Sequence, residues 1–228
     1  MANDILLYGL KGSPFVRKVQ ILLAEKGVDY DFEMANPFEP TDWFAALSPA
    51  RRIPVMRDRS IGAEGVAGTL PDSSVICAYL ERKYPQPTLY PTGAFDYGRA
   101  LWLEEYADTE LANRVGLGIF RPAVMSALMG KAPDLERARK TLSEDLPPLF
   151  DYLNEQAHGR EWFVGDTLSI ADISVATQFG NFRLAGGKLD ASRWPHLAAI
   201  VGRMLARPSA AHCLEQEGKL FKAPEAWC

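Results

Sequence analysis

Cysteine and histidine are scarce in this chain, with three of each in 228 residues. Cys77, Cys213 and Cys228 are odd in number, lie far apart and form no Cys-x-x-Cys pair, which argues against a disulfide framework and a thiolate zinc site. His158, His196 and His212 are equally scattered, so no metal is expected. Long apolar runs are missing too, and nothing approaches the roughly 20 residues that cross a bilayer. Met1-Ala2-Asn3-Asp4 lacks the basic segment and apolar core of a secretion signal, so a cytoplasmic location and no membrane partner are expected. Basic character is also lacking. The net charge is -4 and no Lys/Arg cluster exceeds Arg51-Arg52, which speaks against a nucleic-acid partner held through its phosphates. A hydrophobic fraction of 47% with 24% charged residues describes a globular chain rather than a disordered one.

What is present falls into two halves with different periods. Ile5 to Tyr8 reads as a buried strand, and the segment after it places Phe15 or Val16, Val19, Leu22 and Leu23 on one helical face, with Gly27 as the stop. Tyr30, Phe32 and Met34 alternate with Asp31 and Glu33, the period of a half-buried strand. Such a β-α-β order predicts parallel strands joined by a right-handed crossover. A proline-rich loop from Asn36 to Arg52 leads to a short strand over Ile53 to Met56, then a turn-rich stretch and a weaker strand near Val66 to Leu70. Pro54 cannot donate to a ladder, so it belongs at a strand start or edge, and a cis peptide is plausible there. Helical spacing resumes through Val75, Ile76, Tyr79 and Leu80.

The proline-punctuated stretch 85–93 reads as a linker between a domain over 1–84 and a second over 94–228. The second half is helical throughout. Trp102 to Leu117 predicts one long helix, and Leu135 to Leu149 another, bent or interrupted at Pro147-Pro148. Ser169 with Asp172 forms a capping-box pattern at the head of a third, Trp194-Pro195 opens a fourth and Pro208 a fifth. Cys77 reads as a buried thiol, Trp162, Phe163 and Trp194 as core aromatics, and Arg17 as a solvated helix-face residue.

By spacing alone, Ser13 is an N-cap with Pro14 at N1, a role worth about 1 kcal/mol. Asp72-Ser73 reads in the same way at the next helix. A capping hydroxyl still keeps one proton to donate, and a helix N-terminus attracts anions, so ligand roles remain open at both.

Four segments, in order, resemble the soluble glutathione transferases: Ser13-Pro14-Phe15-Val16-Arg17-Lys18-Val19, Arg51-Arg52-Ile53-Pro54-Val55-Met56, Asp72-Ser73-Ser74-Val75-Ile76, and Ser169 to Asp172. Ser13 and its neighbours look most like the serine-type classes, tau-like or a related bacterial class. A serine where other branches carry cysteine excludes thiol-disulfide chemistry through that residue. The resemblance implies an α/β thioredoxin-like N-terminal domain followed by an all-α helical bundle. It implies glutathione as cosubstrate, no metal, and Ser13 as the hydrogen-bond donor that holds the glutathione thiolate for attack on a small hydrophobic electrophile or a hydroperoxide. Phe15, Arg52, Ile53, Pro54, Asp72 and Ser73 are implied to bind glutathione, with Asp72-Ser73 at its γ-glutamyl end and the Ile53 backbone paired to its cysteinyl residue. The loop Asn36 to Thr41 has no basic residue, which weakens the glycyl end. Tyr106, Glu110, Asn113, Arg114 and Leu117 are candidates to line the electrophile pocket. A homodimer is implied. Alternatives on the same fold are a glutathione-dependent isomerase or dehalogenase, or a non-catalytic ligand-binding or protein-interaction member.

Overall fold

The computed structural model describes residues 2–38, 41–225 and 227–228. The chain divides into two compact units, Met1–Leu89 and Tyr90–Cys228.

The first unit is built on four strands in the order β2-β1-β3-β4. β1 (Ile5–Gly9) runs parallel to β2 (Tyr30–Met34) and antiparallel to β3 (Val55–Asp58), which pairs antiparallel with β4 (Thr69–Pro71). Between β1 and β2 runs α1 (Pro14–Glu25), stopped at Gly27, whose φ of 64° is costly for any residue with a Cβ. Leu6, Tyr8 and Val55 form a core with Phe44 and Leu47 of α2 (Asp42–Leu47), a helix inside the segment read from sequence as a loop. By strand alternation Ile5, Leu7 and Met56, all fully buried, point to the opposite face. α3 (Ser73–Lys83) packs against α1.

Some expectations shift. Strand β3 begins at Val55, one residue after Pro54, because a proline cannot join the ladder; the Ile53-Pro54 peptide is cis. The weaker strand is Thr69–Pro71 rather than Val66 to Leu70. Met34 is 74% exposed, so β2 is not the half-buried strand its alternation suggests; it is a sheet edge with one neighbour. Glu39 and Pro40 of the proline-rich loop lie outside the described residues.

Two buried ionic clusters hold the first unit together. The Arg57 guanidinium donates to the carbonyls of Gly62, Ala67 and Gly65 at 3.2, 2.7 and 2.6 Å, closing the loop between β3 and β4. Asp58 accepts from the Ser60 amide and hydroxyl, from the Tyr79 hydroxyl at 2.6 Å and from the Lys83 ammonium. Burial pushes the Asp58 carboxyl up, but donation from Lys83, Ser60 and Tyr79 outweighs it and holds the group at about 2. A depressed folded pKa gives stability that is present above the ordinary 3.8 and lost as pH falls through 2. Urea titrations at pH 4 and pH 2 should therefore show Asp58→Asn losing about 2 kcal/mol less than wild type over that interval. Equal acid losses would mean Asp58 is not ionised in this network.

In the second unit α4 (Ala94–Tyr106) continues through a π-wound stretch, Ala107–Met125, into α5 (Ser126–Leu128). The long helix read from Trp102 to Leu117 is thus part of a longer rod. α6 (Leu135–Lys140) passes through a second π-wound stretch, Thr141–Asp145, into α7 (Leu146–Gln156). The change of winding falls just before Pro147-Pro148, where two prolines within a continuous helical run remove N–H donors and crowd the preceding turn. α8 (Ile170–Leu184) is buried from Ile170 through Phe182 and packs on the long rod, α9 (Pro195–Leu205) and α10 (Pro208–Gly218). Trp162, Phe163 and Trp194 are buried in this unit. Asp172, in the first turn of α8, accepts from the Phe163 amide at 2.8 Å and from the Ser169 amide and hydroxyl, both at 2.9 Å.

Candidate functional site

The sheet register brings three sequence-distant segments of the first unit to one end of the sheet. Tyr8 lies opposite Val55, and Val55 opposite Pro71. One residue beyond that row are Gly9, where the chain leaves for Ser13, then Pro54, then Asp72. The Asp72 amide donates to the Pro54 carbonyl at 3.2 Å, tying the second of these segments to the third.

Ser13 is the N-cap of α1, with φ -78° and ψ 119°. Its Oγ accepts from the Val16 amide at 3.4 Å, while its O–H proton has no acceptor among the described residues. Phe15 is half-buried in the first turn. The Ile53 N–H and C=O have no hydrogen-bond partner among the described residues, which leaves both free for a strand-like pairing. Arg52 is exposed. Its backbone is clamped on both sides by the buried Ser48 hydroxyl, which accepts from the Arg52 amide at 3.0 Å and donates to the Arg52 carbonyl at 2.9 Å.

Asp72 has a φ of 80°, a conformation that costs a non-glycine residue of order 1–3 kcal/mol and that clusters at functional sites. Its carboxylate caps α3 through the Ser74 amide at 2.9 Å and the Val75 amide at 3.4 Å. Ser73 is buried, and its hydroxyl has no partner among the described residues. The capping role and an open polar group thus stand side by side at both helix N-termini.

Three contributors escaped the sequence reading. Arg17, read there as solvated, is fully buried, and so is Lys18. The Lys18 ammonium donates to the Ser74 hydroxyl at 3.0 Å, joining α1 to the first turn of α3. Ser48 is the third. A serine before proline and a lysine beside an arginine carry no sequence signal of burial: the Lys18 bond reaches Ser74, and the Ser48 bonds to Arg52 depend on the path of the loop between them.

The structure divides the five pocket candidates of the second unit. Tyr106 packs between Trp102 and Tyr152, with ring centroids at 5.9 and 4.8 Å, and the Trp102 indole donates to the Tyr152 hydroxyl at 2.6 Å. Burial, aided by Tyr152 and Glu110 and opposed by Arg114, pushes the Tyr106 phenol up to about 12, so it stays protonated and serves only as a neutral donor or acceptor. Glu110 pairs with Arg114 at 2.8 Å. Asn113, Arg114 and Leu117 line a separate cleft with residues of α6 and the second π-wound stretch.

Among the described residues no group of three His, Cys, Asp or Glu side chains is placed to hold a metal ion. No helix among them is long and apolar enough to cross a membrane.

The sequence matches two family profiles, glutathione S-transferase N-terminal domain over residues 7–88 and glutathione S-transferase C-terminal domain over residues 120–217. It is 30% identical over 207 residues, 90% of this chain and 96% of the other, to the uncharacterized GST-like protein YibF of Escherichia coli K12. Among solved structures it resembles a glutathione S-transferase from Rhodospirillum rubrum F11, with a TM-score of 0.83 and 26% identity, covering 98% of this chain and 97% of that one. It also resembles a Methylobacterium radiotolerans glutathione S-transferase crystallised with glutathione sulfonate, with a TM-score of 0.70 and 28% identity over 92% of this chain and 94% of that one.

Proposed function

The chain belongs to the glutathione S-transferase family, and from that premise we propose that it is a serine-type member, tau-like or of a related bacterial class, with Ser13 as its thiolate-stabilising residue. A free thiol has a pKa of about 8.5, and each unit of depression needs about 1.4 kcal/mol of preferential interaction with the anion. A hydroxyl proton and the N-terminus of α1 supply such interactions at one point. The observation that carries the reading is Ser13 itself: its lone pair is engaged by the Val16 amide and its proton is left to donate.

In this reading the thiolate attacks an electrophilic carbon, expelling a leaving group in substitution or adding across an activated double bond whose carbon then takes a proton. Attack on a hydroperoxide breaks its O–O bond and releases the alcohol, and a second glutathione reduces the glutathione sulfenic acid to disulfide and water. The Ile53 backbone pairs with the cysteinyl residue of glutathione, and Pro54 presents it. Ser73 and the N-terminus of α3 take the γ-glutamyl carboxylate, Asp72 takes the ammonium, and Arg52 takes a carboxylate. Phe15 packs beside the thiol. The electrophile wall is assigned to Tyr106, which has the aromatic neighbours Trp102 and Tyr152. A cytoplasmic setting, where thiols stay reduced, and a homodimer fit the family.

Calorimetric titration with reduced glutathione tests this directly. Wild type should bind with a submillimolar Kd, and Ser73→Ala should weaken binding by about tenfold or more, the loss of one charge-assisted hydrogen bond. Absence of any heat at millimolar glutathione sinks the proposal.

A further inference from the structure

The cleft on the second unit has a composition that a hydrophobic electrophile does not explain. Its volume is about 540 Å³, and its walls are Asn113, Arg114, Leu117 and Gly118 of the first π-wound stretch, Arg137 and Lys140 of α6, and Thr141 and Asp145 of the second π-wound stretch. Gly118 makes the floor: a Cβ there would lie 2.6 Å from Thr141 Cγ2, so only glycine lets Thr141 sit against the rod. Leu117 is the one large apolar side chain of the lining, against three cations, on a chain whose net charge is -4.

The cations are not used up internally. Arg114 spends one arm on Glu110, and its remaining N–H groups have no partner among the described residues. The side chains of Arg137 and Lys140 have no partner there at all, although each is exposed and Asp145 shares the cleft. Guanidinium and ammonium donors arriving from two helical segments suit an oxyanion with several acceptor oxygens. Two facts narrow the ligand further. The volume falls in the range of small organic ligands, about 300–1,000 Å³, far beyond a bare phosphate. The Asp145 carboxylate would repel a bare anion and requires a ligand that offers a donor beside its charge.

We infer that this cleft binds a hydroxylated organic phosphate, with the phosphate between Arg137, Lys140 and the free arm of Arg114 and a ligand hydroxyl donating to Asp145. The site lies wholly within the second unit and stands independently of the glutathione reading.

Ribose 5-phosphate is the probe. At 10 millimolar, about a hundred times an expected Kd near 0.1 millimolar, it should raise the wild-type Tm by several degrees, about 3–8 °C. Ribose plus sodium chloride at the same ionic strength should not. In Arg137→Ala/Lys140→Ala, whose altered side chains are exposed and cost little stability, calorimetry should show affinity falling by about tenfold or more. Asp145→Asn should narrow the preference for ribose 5-phosphate over inorganic phosphate. A Tm shift matched by sodium chloride, an unchanged shift in the double variant, or equal wild-type affinity for ribose 5-phosphate and inorganic phosphate overturns the inference. So does capture by phosphatidate vesicles with no response to ribose 5-phosphate, which would make the cleft a membrane contact.

Discussion

Ser13→Ala is expected to lower turnover with aryl halides or enals by about 10²–10³-fold, the usual consequence of removing one donor aimed at developing or resident negative charge. The pKa of the bound thiol, followed by thiolate absorbance in the binary complex, should rise by about 1–2 units, equivalent to roughly 1.4–2.7 kcal/mol of lost preference for the anion. Thermal stability should fall by only about 1 kcal/mol, because the lost interaction in the folded chain is a single cap to the Val16 amide. The pattern separates the two roles of the residue. A stability loss with turnover and thiol pKa intact would reduce Ser13 to a cap, whereas all three changes together assign it both.

The largest structural effect is expected at Asp172. This carboxyl is fully buried and takes hydrogen bonds from the Phe163 amide and from the Ser169 amide and hydroxyl. Asp172→Ala strands these donors in the interior, at a cost of about 3–5 kcal/mol measured by urea unfolding at pH 5. Burial pushes the Asp172 carboxyl up from 3.8 to about 6, against the lowering pull of Phe163 and Ser169. A raised folded pKa gives stability that is complete below the unfolded value and lost as pH rises through the folded one. The cost of Asp172→Ala should therefore be about 1 kcal/mol smaller at pH 7.5 than at pH 5. Asp172→Asn keeps one acceptor oxygen, so it should cost less than alanine at pH 5 and flatten the pH dependence. An alanine penalty that grows between pH 5 and pH 7.5 would show that the folded pKa is not raised.

Much of the architecture was legible because its signals are local. Ser13-Pro14, the Ser169–Asp172 box and Trp194-Pro195 are cap patterns written within four residues, and each opens a helix where its spacing places it. Pro54 immediately before a strand follows from its missing N–H. α2 was hidden by the prolines around it, and the burial of Arg17 and Lys18 by their charge. Arg57 offered no hint of its three carbonyl partners, since they belong to a loop whose path depends on how β3 and β4 pair.

The sequence alone places most helices and the strands β1 to β3, sets Ser13 and Asp72 at helix N-termini, and shows which family pattern their order follows. Those properties depend on backbone preferences and caps that act over a few residues. Tertiary packing sets the rest: Pro54 meets Asp72, the Ser73 hydroxyl and the Ile53 backbone keep no partner among the described residues, and Arg114, Arg137 and Lys140 share one cleft. Pro54 and Asp72 meet through strand register, and Arg114 meets Arg137 and Lys140 through the packing of separate helical segments; both arise only after the local elements exist.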